Sequence, residues 1–214
     1  MSDGPASGGF TRTYRAAIGA SGFVVERWGR LRVSGLESLP AAGPVLLAAN
    51  HDSYWDTVSI GAAALPVRQV RALAKVQLWD TPGLGWVLNG MGQIPIERGA
   101  GDADALDSAV RELRDGACIG IFPEGTRSRG GELRPRSGIG RLAARVPEAE
   151  IVCCSVVGTT DFVRFPKRPE AAIRFFRPAE GGLKPGEEPA EFSARLIREI
   201  RAGAPFARIG RRRK

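Results

Sequence analysis

The chain has 214 residues, of which 43% are hydrophobic and 25% charged. It is long enough for one compact domain with a substantial core, too short for two domains of ordinary size, and its composition excludes a largely disordered protein. The formal net charge is +8, and eight basic residues lie with a single acid within residues 195–214. Charge alone leaves three interpretations open: an anionic membrane surface, nucleic acid, or a solvated tail.

The cysteine and histidine content limits the kinds of site. The three cysteines Cys118, Cys153 and Cys154 lie in apolar runs, which predicts buried, reduced thiols and a cytosolic location. With one histidine and no Cys-x-x-Cys pair, we expect no metal site. No apolar stretch approaches the ~20 residues that a membrane-spanning helix needs. We therefore expect any contact with a membrane to be made from its surface.

The first predicted element is a helix within residues 10–28, where Tyr14, Ile18 and residues 23–25 are interleaved with arginines. This composition is typical of a basic amphipathic helix that lies on an anionic bilayer. An ordinary helix packed on the core fits the pattern equally well, so both interpretations stay open.

The rest of the chain alternates between strand-like and helix-like segments. In chain order these are a strand at 44–50, a helix at 56–65, a strand at 70–76, a helix at 82–89, a strand at 92–96, a helix at 102–115, a strand at 117–122, a helix at 137–146, strands at 151–157 and 171–176, and a helix at 189–202. The alternation predicts a single layered α/β domain with a mixed, largely parallel sheet flanked by helices. In such sheets, functional residues collect in the loops beyond the strand ends.

His51 is the only histidine and directly follows the strand predicted at 44–50. A neutral imidazole whose other nitrogen is held by a carboxylate takes a proton from an alcohol near pH 7, and Asp56 lies within reach in the next helix. The alternative is structural, because Ser53 and Asp56 also fit a capping box. The Asp56 carboxylate has two oxygens, so it can both cap the helix and hold the imidazole of His51. The pair would act as a base and its orienting group, without a protein nucleophile.

A second polar segment, FPEGTRSR at residues 122–129, follows another predicted strand. It combines an acid, a glycine, a hydroxyl group and two guanidinium groups. Arginine donors suit a phosphate, and a glycine allows backbone N–H groups to approach it. The alternative is a polar turn closed by an ion pair between Glu124 and Arg127.

Lys75 and Arg98 each stand near the end of a predicted strand. Either residue alone fits a solvated charge at a strand end. Together with the arginines of FPEGTRSR, they would close a basic pocket around an anionic head group.

These segments carry a resemblance to a known family. NHDSYWD, residues 50–56, resembles the NHxSxxD motif of the glycerolipid acyltransferases, whose best-known members are the 1-acyl-glycerol-3-phosphate (lysophosphatidic acid) acyltransferases. GQIPIER, residues 92–98, is similar to their second motif, and FPEGTRS, residues 122–128, matches their third. The order and spacing agree, so the resemblance covers roughly residues 30–180.

The resemblance implies a role for each matching residue. His51 would deprotonate the acceptor hydroxyl while Asp56 holds and stabilises the imidazolium, and the acceptor oxygen would attack the acyl thioester directly. Arg98, Glu124, Gly125 and Arg127 fall on positions that are linked in the family to binding the glycerol phosphate. Lys75 falls on a basic position often placed with them, and Thr126, within FPEGTRS, is assigned to substrate binding as well. Backbone N–H groups near the FPEGTRS turn are candidates for the oxyanion donors.

Two departures limit what the resemblance carries over. The family's fourth motif usually has a proline in an apolar strand, where this chain has Cys153 and Cys154; preference for acyl chain length therefore does not carry over. Arg134 and Arg136 add positive charge after the third motif, which favours a phosphorylated acceptor.

The resemblance also predicts the fold, the partners and the location. The fold would be glycerol-3-phosphate acyltransferase-like, with residues 1–29 a flexible leader and membrane-facing amphipathic helix, 30–207 the catalytic domain and 208–214 a basic tail. Because the acceptor and product are lipids, we expect the basic cluster at 195–214 to anchor the protein to an anionic membrane. The protein would lie on the cytoplasmic face of this membrane, without a transmembrane helix. Nucleic acid is then no longer expected as a partner.

The predicted reaction moves a fatty acyl group from acyl-CoA or acyl-carrier protein to 1-acyl-glycerol-3-phosphate (lysophosphatidic acid) and yields phosphatidic acid. No metal or organic cofactor is expected. Two alternatives stay open: the same chemistry on another acceptor, such as glycerol-3-phosphate, another lysophospholipid or a glycolipid, or a non-catalytic protein that binds anionic lipid.

Overall fold

The computed structural model describes residues 10–96, 102–163 and 169–207. Within these ranges there are seven strands and six α-helices, and the sequence predicts all of them except the first strand. The strands are β1 Arg32–Ser34, β2 Val45–Ala49, β3 Val70–Lys75, β4 Ile94–Ile96, β5 Cys118–Ile121, β6 Glu150–Val157 and β7 Ala172–Phe176. The helices are α1 Arg12–Arg27, α2 Trp55–Ala64, α3 Leu84–Gly90, α4 Asp102–Arg114, α5 Gly138–Arg145 and α6 Pro189–Gly203.

The strands form one sheet in the order β1-β7-β6-β2-β5-β3-β4. The pairing of β6 with β7 is antiparallel, and the other neighbouring pairs are parallel. The predicted fold, a single α/β domain with a mixed, largely parallel sheet, is confirmed. Because β2, β5, β6 and β3 run in the same direction, their carboxyl ends meet at one edge of the sheet. The loops with the predicted site residues leave from this edge.

Strand β2 lies in the middle of the sheet and is buried on both faces. Leu46 and Ala48 pack into a core with α4, α5 and α6, while Val45 and Leu47 pack into a second core with α2. A continuous apolar run is what a central parallel strand needs, because helices cover both of its faces. The residue that follows such a strand leaves from a rigid element.

Helix α1 packs mainly on α2. Tyr14 and Ile18 are buried against Ala62, and Thr11 caps the start of the helix, because its hydroxyl accepts the Tyr14 N–H at 3.1 Å. The opposite face leaves Phe23 64% exposed. The amphipathic helix is therefore present, with its inner face packed on the core.

Some expectations need correction or lie outside the described residues. Strand β1 was not predicted, because its three residues are all exposed and carry no alternating pattern. The sequence also gave no sign of the short 3₁₀ helices Leu36–Ser38, Val76–Asp80 and Thr159–Val163. The leader at 1–9, Arg98 and the tail at 208–214 are outside the described ranges, so the domain boundaries stay predictions. None of the helices in the described ranges is long and apolar enough to cross a membrane.

Candidate active site

Asn50 carries the hydrogen bonding of the sheet one residue past the end of β2. Its side-chain amide is buried, donates to the Val156 carbonyl and accepts the Val156 N–H, both at 2.8 Å. The amide therefore takes the place of the backbone groups that would continue the pairing between β2 and β6. This bond fixes the point where the chain leaves the sheet, and His51 is the next residue.

His51 and Asp56 form the pair that the sequence predicts. His51 Nδ1 lies 2.9 Å from Asp56 Oδ2, and the Asp56 side chain is fully buried. The same oxygen accepts the N–H groups of Asp52 and Ser53, each at 2.7 Å. The bond from Ser53 is one half of the capping box, while Ser53 Oγ accepts the Trp55 N–H at 3.2 Å. One carboxylate therefore caps the start of α2 and orients the imidazole.

The contacts of Asp56 determine which nitrogen of His51 acts as a base. An ionised carboxylate only accepts hydrogen bonds, so the proton of the neutral imidazole is assigned to Nδ1, facing Oδ2. Nε2 then carries the lone pair. The His51 side chain is 15% exposed, so part of the ring is accessible. The pair can therefore take a proton from an alcohol at Nε2.

Asp56 Oδ1 has a partner that sequence reasoning missed. Thr159, just beyond β6, donates its hydroxyl to this oxygen. The turn that delivers Thr159 requires glycine, because Gly158 has φ +80° and an added Cβ would lie 2.0 Å from the Glu170 carbonyl oxygen. The sequence signal that could have revealed this contact is Gly158 followed by Thr159 directly after β6, because β6 pairs with β2, the strand that precedes His51.

The ring of His51 stacks on Phe122, with centroids 4.1 Å apart and planes 15° apart. Phe122 also lines an apolar pocket between α2 and the sheet, with Leu47 and Ile60 among the other walls. Gly120 forms part of the floor, where an added Cβ would lie 3.0 Å from a Val70 methyl group. The base therefore stands at the side of a pocket that suits an apolar chain.

The FPEGTRS turn holds the backbone of His51 on both sides. Glu124 Oε2 accepts the His51 N–H at 2.7 Å, and the Ser128 N–H donates to the His51 carbonyl at 2.8 Å. Gly125 has φ +69°, and an added Cβ would lie 2.8 Å from Arg136 Cγ, so the turn depends on a glycine. The first and third motifs are therefore directly hydrogen-bonded to each other.

Arg201, near the end of α6, contacts both motifs. Its guanidinium binds Asp52 at 2.9 and 3.0 Å and Glu124 at 2.9 Å. Burial raises the pKa of Glu124, although the His51 N–H and Arg201 oppose this rise. Burial lowers the pKa of Arg201, but its bonds to the two carboxylates outweigh burial and raise it.

The position of Arg201 corrects the interpretation of the basic cluster. We assigned residues 195–214 as a whole to an anionic surface. This is wrong for Arg195 and Arg201, whose side chains are only 7% and 10% exposed and pair with carboxylates. Both residues were included in the basic cluster because the sequence does not reveal their carboxylate partners.

The remaining predicted side chains surround this edge of the sheet. Arg127 lies over the ring of Tyr54, 3.6 Å from its centroid, and donates to the Tyr54 hydroxyl at 2.8 Å. Between the described side chains, the alternative ion pair of Arg127 with Glu124 is not formed. Thr126 is exposed in the turn, and Lys75 is exposed at the end of β3. Their contact with a substrate stays a prediction, as does that of Arg98.

The three cysteines are free and buried, as expected. Burial raises the pKa of Cys118 and of Cys153 to about 12 and that of Cys154 well above its usual value. A thiol with such a pKa is not a nucleophile near neutral pH. Among the described residues, no three or more His, Cys, Asp or Glu side chains are arranged to hold a metal ion. The expectation of no cofactor stays a prediction.

Comparison with known proteins gives relatives with named activities. Over 134 residues the chain is 29% identical to a chloroplastic 1-acyl-sn-glycerol-3-phosphate acyltransferase of Arabidopsis thaliana, a match that covers 61% of this chain and 36% of the relative. Over 109 residues it is 36% identical to a lyso-ornithine lipid O-acyltransferase of Pseudomonas aeruginosa, which covers 50% of this chain and 40% of the relative. The chain spans less than half the length of these two relatives.

The fold is similar to that of the 1-acyl-sn-glycerophosphate (LPA) acyltransferase PlsC from Thermotoga maritima, with a TM-score of 0.63 and 20% identity over 92% of this chain and 86% of that one. At this identity the likeness concerns the fold alone. A family model described as Acyltransferase matches residues 30–157, which is more than half of the 214 residues and includes both NHDSYWD and FPEGTRS. The chain therefore belongs to the acyltransferase family.

Proposed function

We propose that this protein is an O-acyltransferase that moves a fatty acyl group from acyl-CoA, or from acyl-carrier protein, to the free hydroxyl of 1-acyl-glycerol-3-phosphate. The product is phosphatidic acid. The observation that carries the proposal is the His51–Asp56 pair, whose partly exposed imidazole stacks on Phe122 at the wall of an apolar pocket. A base of this kind activates an alcohol, and an apolar pocket beside it is the environment that a fatty acyl chain requires.

The reaction needs no covalent intermediate with the protein. The acceptor hydroxyl gives its proton to His51 Nε2, and its oxygen attacks the thioester carbonyl carbon. The buried charge of Asp56 stabilises the imidazolium that forms. When the tetrahedral intermediate collapses, the carbon–sulfur bond breaks and the imidazolium returns its proton to the leaving thiolate. The raised pKa values of the buried cysteines agree with direct transfer.

The tetrahedral intermediate carries a negative oxygen that requires hydrogen-bond donors. In the FPEGTRS turn, the Gly125 N–H donates to the Phe122 carbonyl, and the Ser128 N–H donates to the His51 carbonyl. These two N–H groups are therefore already used within the protein. We propose that the N–H groups of Thr126 and Arg127 are the donors that this turn offers to substrate, since Arg127 also adds positive charge. The exposed Lys75 would then contact the phosphate of the acceptor.

The test is the release of free CoA thiol from palmitoyl-CoA with lysophosphatidic acid as acceptor, in anionic vesicles or detergent. Wild type should show release that depends on the acceptor, and His51→Ala should lower its rate by about 10² or more, as expected for loss of a general base. The melting temperature of both proteins serves as the folding control. Equal rates for a folded His51→Ala variant would favour a non-catalytic protein that binds anionic lipid.

A second acceptor is favoured by one comparison. The relative from Pseudomonas aeruginosa is named a lyso-ornithine lipid O-acyltransferase, and its identity over the match is 36%. The same assay should therefore include lyso-ornithine lipid, glycerol-3-phosphate and other lysophospholipids. Activity with one of these and not with lysophosphatidic acid would retain the mechanism and replace the substrate.

We propose further that the enzyme works on the cytoplasmic face of an anionic membrane. The outer face of α1 exposes Phe23 by 64% and also carries Arg12, Arg15 and Arg27, and Trp86 of α3 is 76% exposed. Apolar side chains among arginines suit an anionic interface. The protein should float with phosphatidylglycerol vesicles and less with phosphatidylcholine vesicles, and removal of residues 208–214 should weaken the preference. Equal flotation in all cases would contradict this part of the proposal.

A further inference from the structure

We propose that Arg201 of α6 is a positioning residue for the acyl transfer: it fixes the His51 loop and the FPEGTRS turn relative to each other through Asp52 and Glu124. The inference rests on the proposed function for its kinetic test. Arg201 lies outside both motifs and outside residues 30–157, which the family model matches. Its role is visible only in the folded chain.

The guanidinium of Arg201 uses all five of its N–H donors. Nε and Nη2 donate to Glu124 Oε1, Nη2 and Nη1 donate to the two oxygens of Asp52, and Nη1 also reaches the Ala204 carbonyl at 3.2 Å. The ring of Phe206 covers the group, with its centroid 4.2 Å from Cζ. A planar fork with fixed geometry thus holds two carboxylates at set positions, which an ammonium group does not reproduce.

Both carboxylates lead directly to the catalytic base. Glu124 binds Arg201 with Oε1 and the His51 N–H with Oε2. Asp52 is the residue next to His51 and also accepts the Ser128 hydroxyl, while the Ser128 N–H binds the His51 carbonyl. Each contact therefore runs from Arg201 through one residue to the backbone of His51.

The charges of this cluster make Arg201 necessary for its geometry. Asp52 and Glu124 are 7% and 2% exposed, and Arg201 lies between them. Without the guanidinium, two carboxylates would share a site that excludes water, so one of them would take up a proton or move away. A change at Glu124 alters the group that accepts the His51 N–H, and a change at Asp52 alters the residue next to His51 and its contact with Ser128. A small displacement of a base relative to its substrate lowers the rate strongly.

Arg195 provides a matched control on the same helix. It is also buried and pairs with a carboxylate, since Nε and Nη2 bind the two oxygens of Glu187 at 2.9 Å. Its remaining bonds reach the carbonyls of Gly181 and Gly182. These contacts lie within the α6 region and do not involve the His51 loop or the FPEGTRS turn. A substitution of Arg195 and a substitution of Arg201 each remove a buried arginine from α6. Of these two residues, only Arg201 contacts the active site, so a difference between the variants reports on that contact.

The kinetic experiment compares Arg201→Gln and Arg201→Lys with Arg195→Gln and Arg195→Lys in the CoA-release assay. For Arg201→Gln we expect kcat to fall by about 10², with the KM for palmitoyl-CoA within about twofold of wild type. Arg201→Lys should recover part of kcat because it restores the charge without the fork. The Arg195 variants should lose melting temperature while kcat stays within about twofold of wild type. If Arg201→Gln keeps the wild-type kcat, or Arg195→Gln loses as much, the proposal is overturned.

A second measurement does not require activity. His51 is the only histidine, so its ring signals in a ¹⁵N NMR spectrum are assigned without ambiguity. The downfield proton on Nδ1, which faces Asp56, should be broadened or lost in Arg201→Gln and retained in Arg195→Gln. Asp52→Asn provides a milder variant should Arg201→Gln not fold, and it should shift the same signal. An unchanged His51 spectrum in a folded Arg201→Gln or Asp52→Asn variant would refute the positioning role. If wild type is inactive with every acceptor, the proposed function fails, and these spectra still decide the role of Arg201.

Discussion

The loop that carries His51 and the helix α1 are held on the same domain by opposite kinds of contact. Directional polar contacts fix the loop: the His51 N–H, carbonyl and Nδ1 each have a partner between 2.7 and 2.9 Å away. Helix α1 is held mainly by packing of Tyr14 and Ile18 on α2. The packing is close, because a Cβ added to Gly61 would lie 2.9 Å from Ile18 Cδ1.

The two kinds of contact fix different things. Hydrogen bonds have narrow limits of distance and angle, so several of them together define the position of a base within a fraction of an ångström. Apolar packing is non-directional, so it fixes the inner face of a helix and leaves the residues of the outer face free to vary. We therefore expect changes at the loop to alter kcat more than stability, and changes at α1 to do the opposite.

The largest effect is expected for Asp56→Asn. The amide has the shape of the carboxylate and still accepts N–H groups, but it lacks the charge that stabilises the imidazolium of His51. We expect kcat to fall about 10⁴-fold, while the melting temperature falls only a few degrees. Steady-state CoA release together with thermal denaturation measures both. A variant that keeps a tenth of the wild-type kcat would remove Asp56 from the mechanism.

A smaller loss is expected for Thr159→Val. The variant keeps the shape of the side chain but removes the hydroxyl that donates to Asp56 Oδ1. Leaving a buried carboxylate oxygen without its donor should lower the free energy of unfolding by about 1–3 kcal/mol and kcat by roughly tenfold. Thr159→Ser retains the hydroxyl and should stay close to wild type in both. Urea denaturation and the CoA-release assay test the pair. A loss in Thr159→Ser with Thr159→Val unchanged would show that the methyl group matters instead of the hydroxyl, and equal losses would show that the two groups matter equally.

The same contrast explains what the sequence predicts and what it does not. The continuous apolar run of β2 and the periodic apolar residues of α4 and α6 each lie within a short segment of the chain, so they predict these elements within a few residues. The three exposed residues of β1 have no such pattern. NHDSYWD likewise contains the His51–Asp56 pair within six residues, and its geometry follows from a strand end and one turn of helix.

Partners that are distant in sequence could not be predicted in this way. Thr159 is 103 residues from Asp56, and Arg201 is 149 residues from Asp52. Nothing local distinguishes Arg201 from the other arginines of the last 20 residues, so its charge was assigned to the membrane. Only the sheet order, which places the end of β6 beside that of β2, and the packing of α6 bring these side chains to the base.

Tyr14→Phe tests the packing side of the contrast. The Tyr14 hydroxyl accepts the Val70 N–H at 3.2 Å, and the ring is 1% exposed. Loss of the hydroxyl should lower the free energy of unfolding by about 1–2 kcal/mol, and kcat should not change because α1 does not contact His51. Urea denaturation at pH 7 and the CoA-release assay measure the two quantities. A clear fall in kcat would mean that α1 positions the base after all.

The loss of stability at alkaline pH provides a second comparison between wild type and Tyr14→Phe. Burial raises the pKa of Tyr14 from 10 to about 12. The unfolded chain therefore loses this proton at lower pH than the folded one, so the contribution of Tyr14 to stability is present below pH 10 and is lost as the pH rises toward 12. Tyr14→Phe lacks the group, and its stability should fall less steeply over this range.

The smallest effect on the folded enzyme is expected for Phe23→Ser, on the outer face of α1. The side chain is 64% exposed, so its removal should leave the melting temperature within a degree and kcat in detergent unchanged. Flotation with phosphatidylglycerol vesicles should nevertheless weaken, because an apolar residue at the interface is lost while the arginines remain. Ala20→Ser, at another exposed position of the same helix, is the matched control and should float like wild type. Unchanged flotation of Phe23→Ser would mean that the outer face of α1 does not contact the membrane. A large loss of stability would mean instead that Phe23 packs against the protein. The outer face of α1 would then contribute to the stability of the fold, as its inner face does.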